Sequence, residues 1–267
     1  MTSRSVMAAA ARAKRDLEAQ ARPSGAFDAS RYFRTTEALG FLNIRTPVVR
    51  DLGKSIAREH RDLWNVKDAV RFADALIRDR HLEVKGLGIE VLACFRREFR
   101  PGMLPTVKGW LAKNQSANWA TTDSICGAII SPLLLAHPAL AARVASWTGH
   151  PNMWVRRAAA VSLVRLAARG LALDLAYGVA DALRSDPEDL IQKASGWLLR
   201  EAGRTDRPRL ERYLRAHGPS IPRATVRYAI EHFLDGPRKA LLAATRAAVS
   251  KSLVPQPRRA AAYSTRR

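Results

Sequence analysis

The chain has 267 residues, 47% of them hydrophobic, which is enough to bury a large core and too many for wholesale disorder. Against 24 Asp and Glu stand 45 Lys and Arg, a net charge of +21 with a pI near 11.2. So basic a balance points to a polyanionic partner, nucleic acid first and an anionic membrane surface second.

Almost every segment has helical periodicity, and no alternating β-branched run suggests a sheet. "MTSRSVMAAAARAKRDLEAQARP" reads as a first helix, closed by Pro23 and Gly25. Asp16 and Glu18, with no cleavage-like boundary, set it apart from a transit peptide. Pro47 begins a second helix running to about His60, with Thr46 as its expected N-cap. "VKDAVRFADALIRD" and "LEVKGLGIEVLACFRREF" form the next pair, the latter ended by Pro101 and Gly102. "MLPTVKGWLAKN" leads to "NWATTDSICGAII", and His137-Pro138 introduces "ALAARVASWTG". Past Pro151, "NMWVRRAAAVSLVRLAARG" carries the apolar stripe Val155, Ala159, Leu163 and Leu166. "LDLAYGVADALRS", "PEDLIQKASGWLLREAG", "RPRLERYLRAHG" and "IPRATVRYAIEHFL" complete the series.

About a dozen antiparallel helices with short turns imply an all-α fold, an α-solenoid of degenerate HEAT-like pairs, with an irregular bundle as the alternative. Residues 1–245 form one helical-repeat domain. After Asp235 no acidic residue remains, so residues 246–267 read as a flexible basic tail that attracts phosphates. No run of 18 consecutive apolar residues exists, so no transmembrane helix and no membrane partner are expected. Cys94 and Cys126 lie in apolar helical patterns without metal-ligand neighbours, which predicts buried thiols in a reducing, cytoplasmic setting.

The chain has no Gly-rich phosphate loop, HExxH, CxxC or GxSxG, and its six histidines lack metal-ligand spacing. No metal and no nucleotide cofactor are therefore expected. Three polar-aromatic clusters remain. Trp119 and Asp123 stand four apart and share a helix face; taken alone, Asp123 is a first-turn acid complementing the dipole, with Ser116 or Asn118 as cap. Trp154 and Arg157 share a stripe with Val161 and Val164, so Arg157 is either a phosphate clamp or a solvated or salt-bridged arginine that snorkels past an aromatic, while Arg156 points elsewhere. Lys193, Trp197 and Arg200 line a third face, a cation-aromatic-cation order that suits a sugar-phosphate backbone or, more simply, core packing of the indole. Gly196 there permits close approach of a neighbour.

In this order, "WATTD" (119–123), "WVRR" (154–157) and "QKASGWLLRE" (192–201) resemble the motifs of the AlkD family of HEAT-like-repeat DNA glycosylases. "RYFRTTEALGFLNIRTPVVRDL" also resembles that family's second-helix region, and the likeness extends from about residue 28 to 232. The resemblance implies excision of positively charged N3- or N7-alkylpurines from double-stranded DNA by a nucleoid-associated monomer. It implies Asp123 as the catalytic carboxylate, Trp119 and Trp197 as aromatic walls and Arg157 as a phosphate clamp. Tyr32, Trp154, Arg156, Lys193 and Arg200 would contact DNA. Three positions depart from the family pattern: Asn118 stands where a second Trp is common, Ala120 where an acid is frequent, and Tyr32 aligns with a small length difference. These bear on substrate preference.

The chemistry fits those residue types. A cationic purine leaves readily, and the remaining oxocarbenium-like sugar is stabilised by a fixed carboxylate. Two other classes compete: a non-catalytic HEAT-like DNA-binding module, and a protein-interaction scaffold with a basic face. Neither needs a carboxylate facing phosphate.

Overall fold

The computed structural model describes residues 3–23, 33 and 39–246. Among the described residues fourteen α-helices follow one another: α1 (Ser3–Glu18), α2 (Thr46–Glu59), α3 (Val66–Leu76), α4 (Leu82–Cys94), α5 (Leu104–Ala112), α6 (Trp119–Ile125), α7 (Ser131–Ala136), α8 (Leu140–Ala145), α9 (Met153–Ala167), α10 (Leu173–Ala182), α11 (Asp189–Thr205), α12 (Arg207–His217), α13 (Arg223–Ala229) and α14 (Asp235–Ala244). Among the described residues there is no β-strand, only an isolated bridge between Gly40 and His81. The fold is all-α and solenoid-like. α2, α4, α6, α9, α11 and α13 each pack on the next, and the other helices flank that row: α3 on α4, α5 and α10 on α9, α12 on α11. One continuous row of parallel-stacked elements is what brings residues far apart in sequence to one face.

Local chemistry sets the boundaries. Asn65 caps α3 through a capping box with Asp68. α2 starts one residue earlier than the sequence predicts: Arg45 is the N-cap, without a side-chain bond, and Thr46 is already helical because Pro47 supplies the helical φ at the first positions. α1 ends at Glu18, before Pro23, and Gly25 lies outside the described residues, as does the basic tail beyond 246.

α9 is the centre of the stack. Trp154, Val155, Ala158, Ala159, Ala160, Leu163 and Ala167 are all fully buried, on every side of the helix. Its small residues let α6 and α11 approach from both sides. Burying each Val or Leu contributes about 1.5–3 kcal/mol relative to exposure, an upper estimate for an extended reference chain.

α6 and α7 are joined without a break by a π-helical turn, Cys126–Ile130. Ser131 N–H bonds Cys126 O five residues back, and Pro132 has no N–H to offer the next carbonyl, Gly127 O. Arg165 of α9 fills that place, Nη1–H donating to Gly127 O at 2.7 Å. The run Trp119–Ala136 reaches the length and mean hydropathy (1.3) of a membrane span, although Thr121, Thr122, Asp123 and Ser124 interrupt its apolar residues. Its apolarity is accounted for by the core, where Ile125, Ile129, Ile130, Leu133 and Leu134 are fully buried. Of the two cysteines, Cys126 is buried as expected, whereas Cys94 at the end of α4 is exposed.

Candidate active site in a helix-lined cleft

The site begins at the start of α6. Ala117 adopts a left-handed φ of 54°, turning the chain into the helix. Asn118 caps it: Oδ1 accepts from Thr121 N–H at 2.8 Å, while Nδ2 donates to Ser116 O at 2.8 Å and Thr121 Oγ1 at 2.9 Å. With three bonds and no exposed surface, Asn118 fixes where α6 starts and so where Trp119 and Asp123 point. Asp123 is the fifth helical residue, beyond the first turn, so complementing the helix dipole is not its role.

Its partner is Arg157. The guanidinium meets the carboxylate fork to fork, Nε–H to Oδ1 at 2.8 Å and Nη2–H to Oδ2 at 2.7 Å. Nη1–H donates to Leu190 O in the first turn of α11. One side chain thus ties α6, α9 and α11 together. The two side chains are 7% and 17% exposed, so this ion pair sits at the floor of the cleft. Three of the five N–H groups of Arg157 are thus spent within the protein, on Asp123 and Leu190, so that its contacts here hold the carboxylate in place. The spacing in sequence could not show this, because the acceptors lie 34 and 33 residues away.

Burial pushes the Asp123 carboxyl above the usual carboxylate range, and the hydrogen bond and charge of Arg157 oppose that shift. The neighbouring Cys126 thiol is pushed up to about 12 by burial, so it is no nucleophile at neutral pH.

α11 supplies the opposite wall. Lys193, Trp197 and Arg200 lie on one face, and the cleft of ≈ 430 Å³ is lined by these three with Trp119, Asp123, Arg157, Leu190 and Tyr228. Lys193 pairs with Asp189 at 3.2 Å. Arg200 donates Nε–H to Glu201 at 3.1 Å and Nη1–H to Glu231. Gly196 does admit a neighbour: a Cβ built there would lie 2.5 Å from Tyr228 Cβ and 2.6 Å from Thr225 O. Thr225 Oγ1 also donates to Gln192 O at 2.9 Å, so α13 is seated directly on α11 and carries Tyr228 into the cleft.

Trp119 is backed by Phe33, stacked at 5.4 Å and 9°, which in turn packs on Phe41 at 5.4 Å. Phe33, Leu190 and Tyr228 were not among the residues expected from sequence. The aromatic pair in "RYF" is the available signal for Phe33, and its other member, Tyr32, the expected DNA contact, lies outside the described residues.

Two expected DNA contacts are corrected. Trp154 is 1% exposed and belongs to the core, its indole N–H without a partner among the described residues. Arg156 binds within the protein, to Asp186 at 2.7 Å and to His150 O and Pro151 O at 3.0 and 2.8 Å. Trp154 is lost to the packing of α9 against its neighbours, and Arg156, part-buried, is lost to its bonds within the protein.

A larger cavity of ≈ 500 Å³ lies on the other flank of α6, against α2 and α4. Its charged groups are engaged internally: Glu83 accepts from Leu42 and Ile44 N–H, Arg50 pairs with Glu90, and Arg165 caps the π-turn. The smaller cleft, with a carboxylate between two indoles and cations at its rim, has the chemistry to stabilise a cation next to a phosphate chain.

A protein of Enterococcus faecalis whose solved structure is described as a predicted DNA alkylation repair enzyme superposes with a TM-score of 0.66. It is 20% identical, over 74% of this chain and 90% of that one, a likeness of fold. A comparison with curated proteins finds no match. The family model for DNA alkylation repair enzymes matches residues 13–233, most of the chain and all of the cleft. The chain therefore belongs to the DNA alkylation repair enzyme family.

Proposed function

We propose that the protein is a DNA glycosylase that hydrolyses the N-glycosidic bond of positively charged N3- or N7-alkylated purines in duplex DNA. The observation that carries this reading is a carboxylate, Asp123, held rigidly by Arg157 in a cleft walled by Trp119 and Trp197. When the C1′–N bond breaks, both bonding electrons leave with the purine and neutralise its charge. Little acid assistance is needed, and the barrier lies in the oxocarbenium-like sugar left behind.

Asp123 answers that need. Its two oxygens offer about four lone-pair sites, of which Arg157 takes two, so the remainder can face C1′ and a water. Water adds to C1′ and its proton passes to Asp123 and on to solvent, leaving an abasic site. A carboxyl whose pKa is raised by burial is a better base for that proton than an exposed one. The indole faces favour positive charge on the sugar through their quadrupoles. Lys193 and Arg200 at the rim suit the flanking phosphates. On this reading the protein acts as a monomer on double-stranded DNA in the cytoplasm, with its own side chains supplying the chemistry.

The test is release of 7-methylguanine or 3-methyladenine from methylated duplex DNA by the wild type and by Asp123→Asn. A wild type that releases neither base while binding the duplex would reduce the protein to a non-catalytic DNA-binding module.

A further inference from the structure

We infer that Glu231 competes with the DNA backbone for Arg200, so that binding proceeds by exchange of a carboxylate for a phosphate at the rim of the cleft. This rests on DNA being the ligand of the cleft, as proposed above. Arg200 lines the cleft, yet its guanidinium is already held at two points. Nε–H donates to Glu201 and Nη1–H to Glu231. The two acids differ in kind. Glu201 is 9% exposed and is shared with Arg204 at 3.0 Å, so it is a built-in anchor that orients Arg200. Glu231 is 52% exposed and follows α13 in the turn at residues 230–232.

Its position is fixed nonetheless. α13 is pressed onto α11 where Gly196 admits Thr225 and Tyr228, and Thr225 is bonded to Gln192 O. The turn that follows is therefore held over Arg200 rather than left to wander. A half-exposed ion pair is a weak contact and yields readily to a competing anion. A backbone phosphate is such an anion, and it accepts from guanidinium in the same planar fashion. In a chain with so large a cationic excess, a carboxylate at the rim of the cleft works against binding any duplex. Its consequence is to weaken the grip on undamaged DNA, because every encounter must first detach Arg200 and then seat phosphate beside an unpaired acid.

The experiment measures affinity for an undamaged duplex at fixed moderate salt, using the full chain and four variants: Glu231→Gln, Arg200→Gln, the double variant, and Glu211→Gln. Glu211 is an acid on α12 paired with Arg207, outside the cleft, and removing it changes the net charge equally. Glu231→Gln is expected to bind about three- to tenfold tighter, Glu211→Gln no tighter than about twofold, as for a screened distant charge. The gain from Glu231→Gln should largely vanish in the Arg200→Gln background, because the competition has lost its object.

A Glu231→Gln affinity equal to that of the wild type would overturn the proposal, and so would a gain that persists undiminished without Arg200. Absence of duplex binding by every variant would overturn both this inference and DNA as the ligand. Binding by the wild type without a gain in Glu231→Gln overturns the role of Glu231 alone.

Discussion

Replacing Arg157 by Gln probes the site through two linked observables. The wild-type pair is bidentate at 2.8 and 2.7 Å, with side chains 7% and 17% exposed. Removing one partner of a buried pair costs about 3–5 kcal/mol, and the residual exposure of Asp123 lowers the expectation to about 2–4 kcal/mol at pH 8. The loss depends on pH with a definite sign. Burial holds the folded Asp123 pKa above its ordinary value, so the unfolded chain gives up that proton first. The group therefore disfavours the fold as pH rises from the ordinary carboxylate pKa through the folded one, and Arg157 limits that effect. Without Arg157 the folded pKa climbs further and the window widens upward. Urea unfolding should show a larger stability loss at pH 8 than at pH 5, because lowering the pH shifts Asp123 toward the protonated form that does not need a cation. The acid limb of the base-release rate, which requires ionised Asp123, should move to higher pH in the same variant. Equal losses at both pH values with an unmoved acid limb would refute the reasoning.

Three further outcomes follow from the packing. Gly196→Ala gains about 1 kcal/mol in helix propensity but must displace Thr225 and Tyr228, so a net loss of about 1–3 kcal/mol is expected in thermal or urea unfolding, with weakened DNA binding. Trp154→Ala should cost about 3–5 kcal/mol because the indole is a core residue. Trp154→Phe, which keeps an aromatic ring in the core, should change duplex affinity by less than about twofold once cooperative unfolding shows it folded, and a tenfold loss, about 1.4 kcal/mol, would restore Trp154 as a DNA contact. Arg165→Met should cost about 1 kcal/mol by orphaning Gly127 O, visible as faster amide exchange around the π-turn.

The helical class, the order of helices and most of their ends were legible in the sequence, because Pro, Gly and Asn punctuate a chain of strong helical period. Asn118 as a cap was readable for the same reason, as was the close approach at Gly196. What was not legible depends on partners distant in sequence. A salt-bridged Arg157 was one open reading, but its partners were not legible, because Asp123 and Leu190 reach it only after α6, α9 and α11 are stacked. Trp154 was expected at DNA because α9 is apolar around most of its circumference, where periodicity gives little direction. The π-turn has a local sign only in Pro132, whose missing N–H leaves Gly127 O open, and its Arg165 cap comes from a distant helix. Phe33 behind Trp119 was hidden by a neighbouring tyrosine that was the more obvious ligand contact.

The central claim is that Asp123 does chemistry rather than merely pairing with Arg157. Single-turnover release of 7-methylguanine from methylated duplex by Asp123→Asn, under conditions where its DNA binding and cooperative unfolding are retained, tests it most directly. The account predicts a rate lower by about 10²–10³, the scale of losing one preorganised electrostatic group. A rate equal to that of the wild type would contradict it.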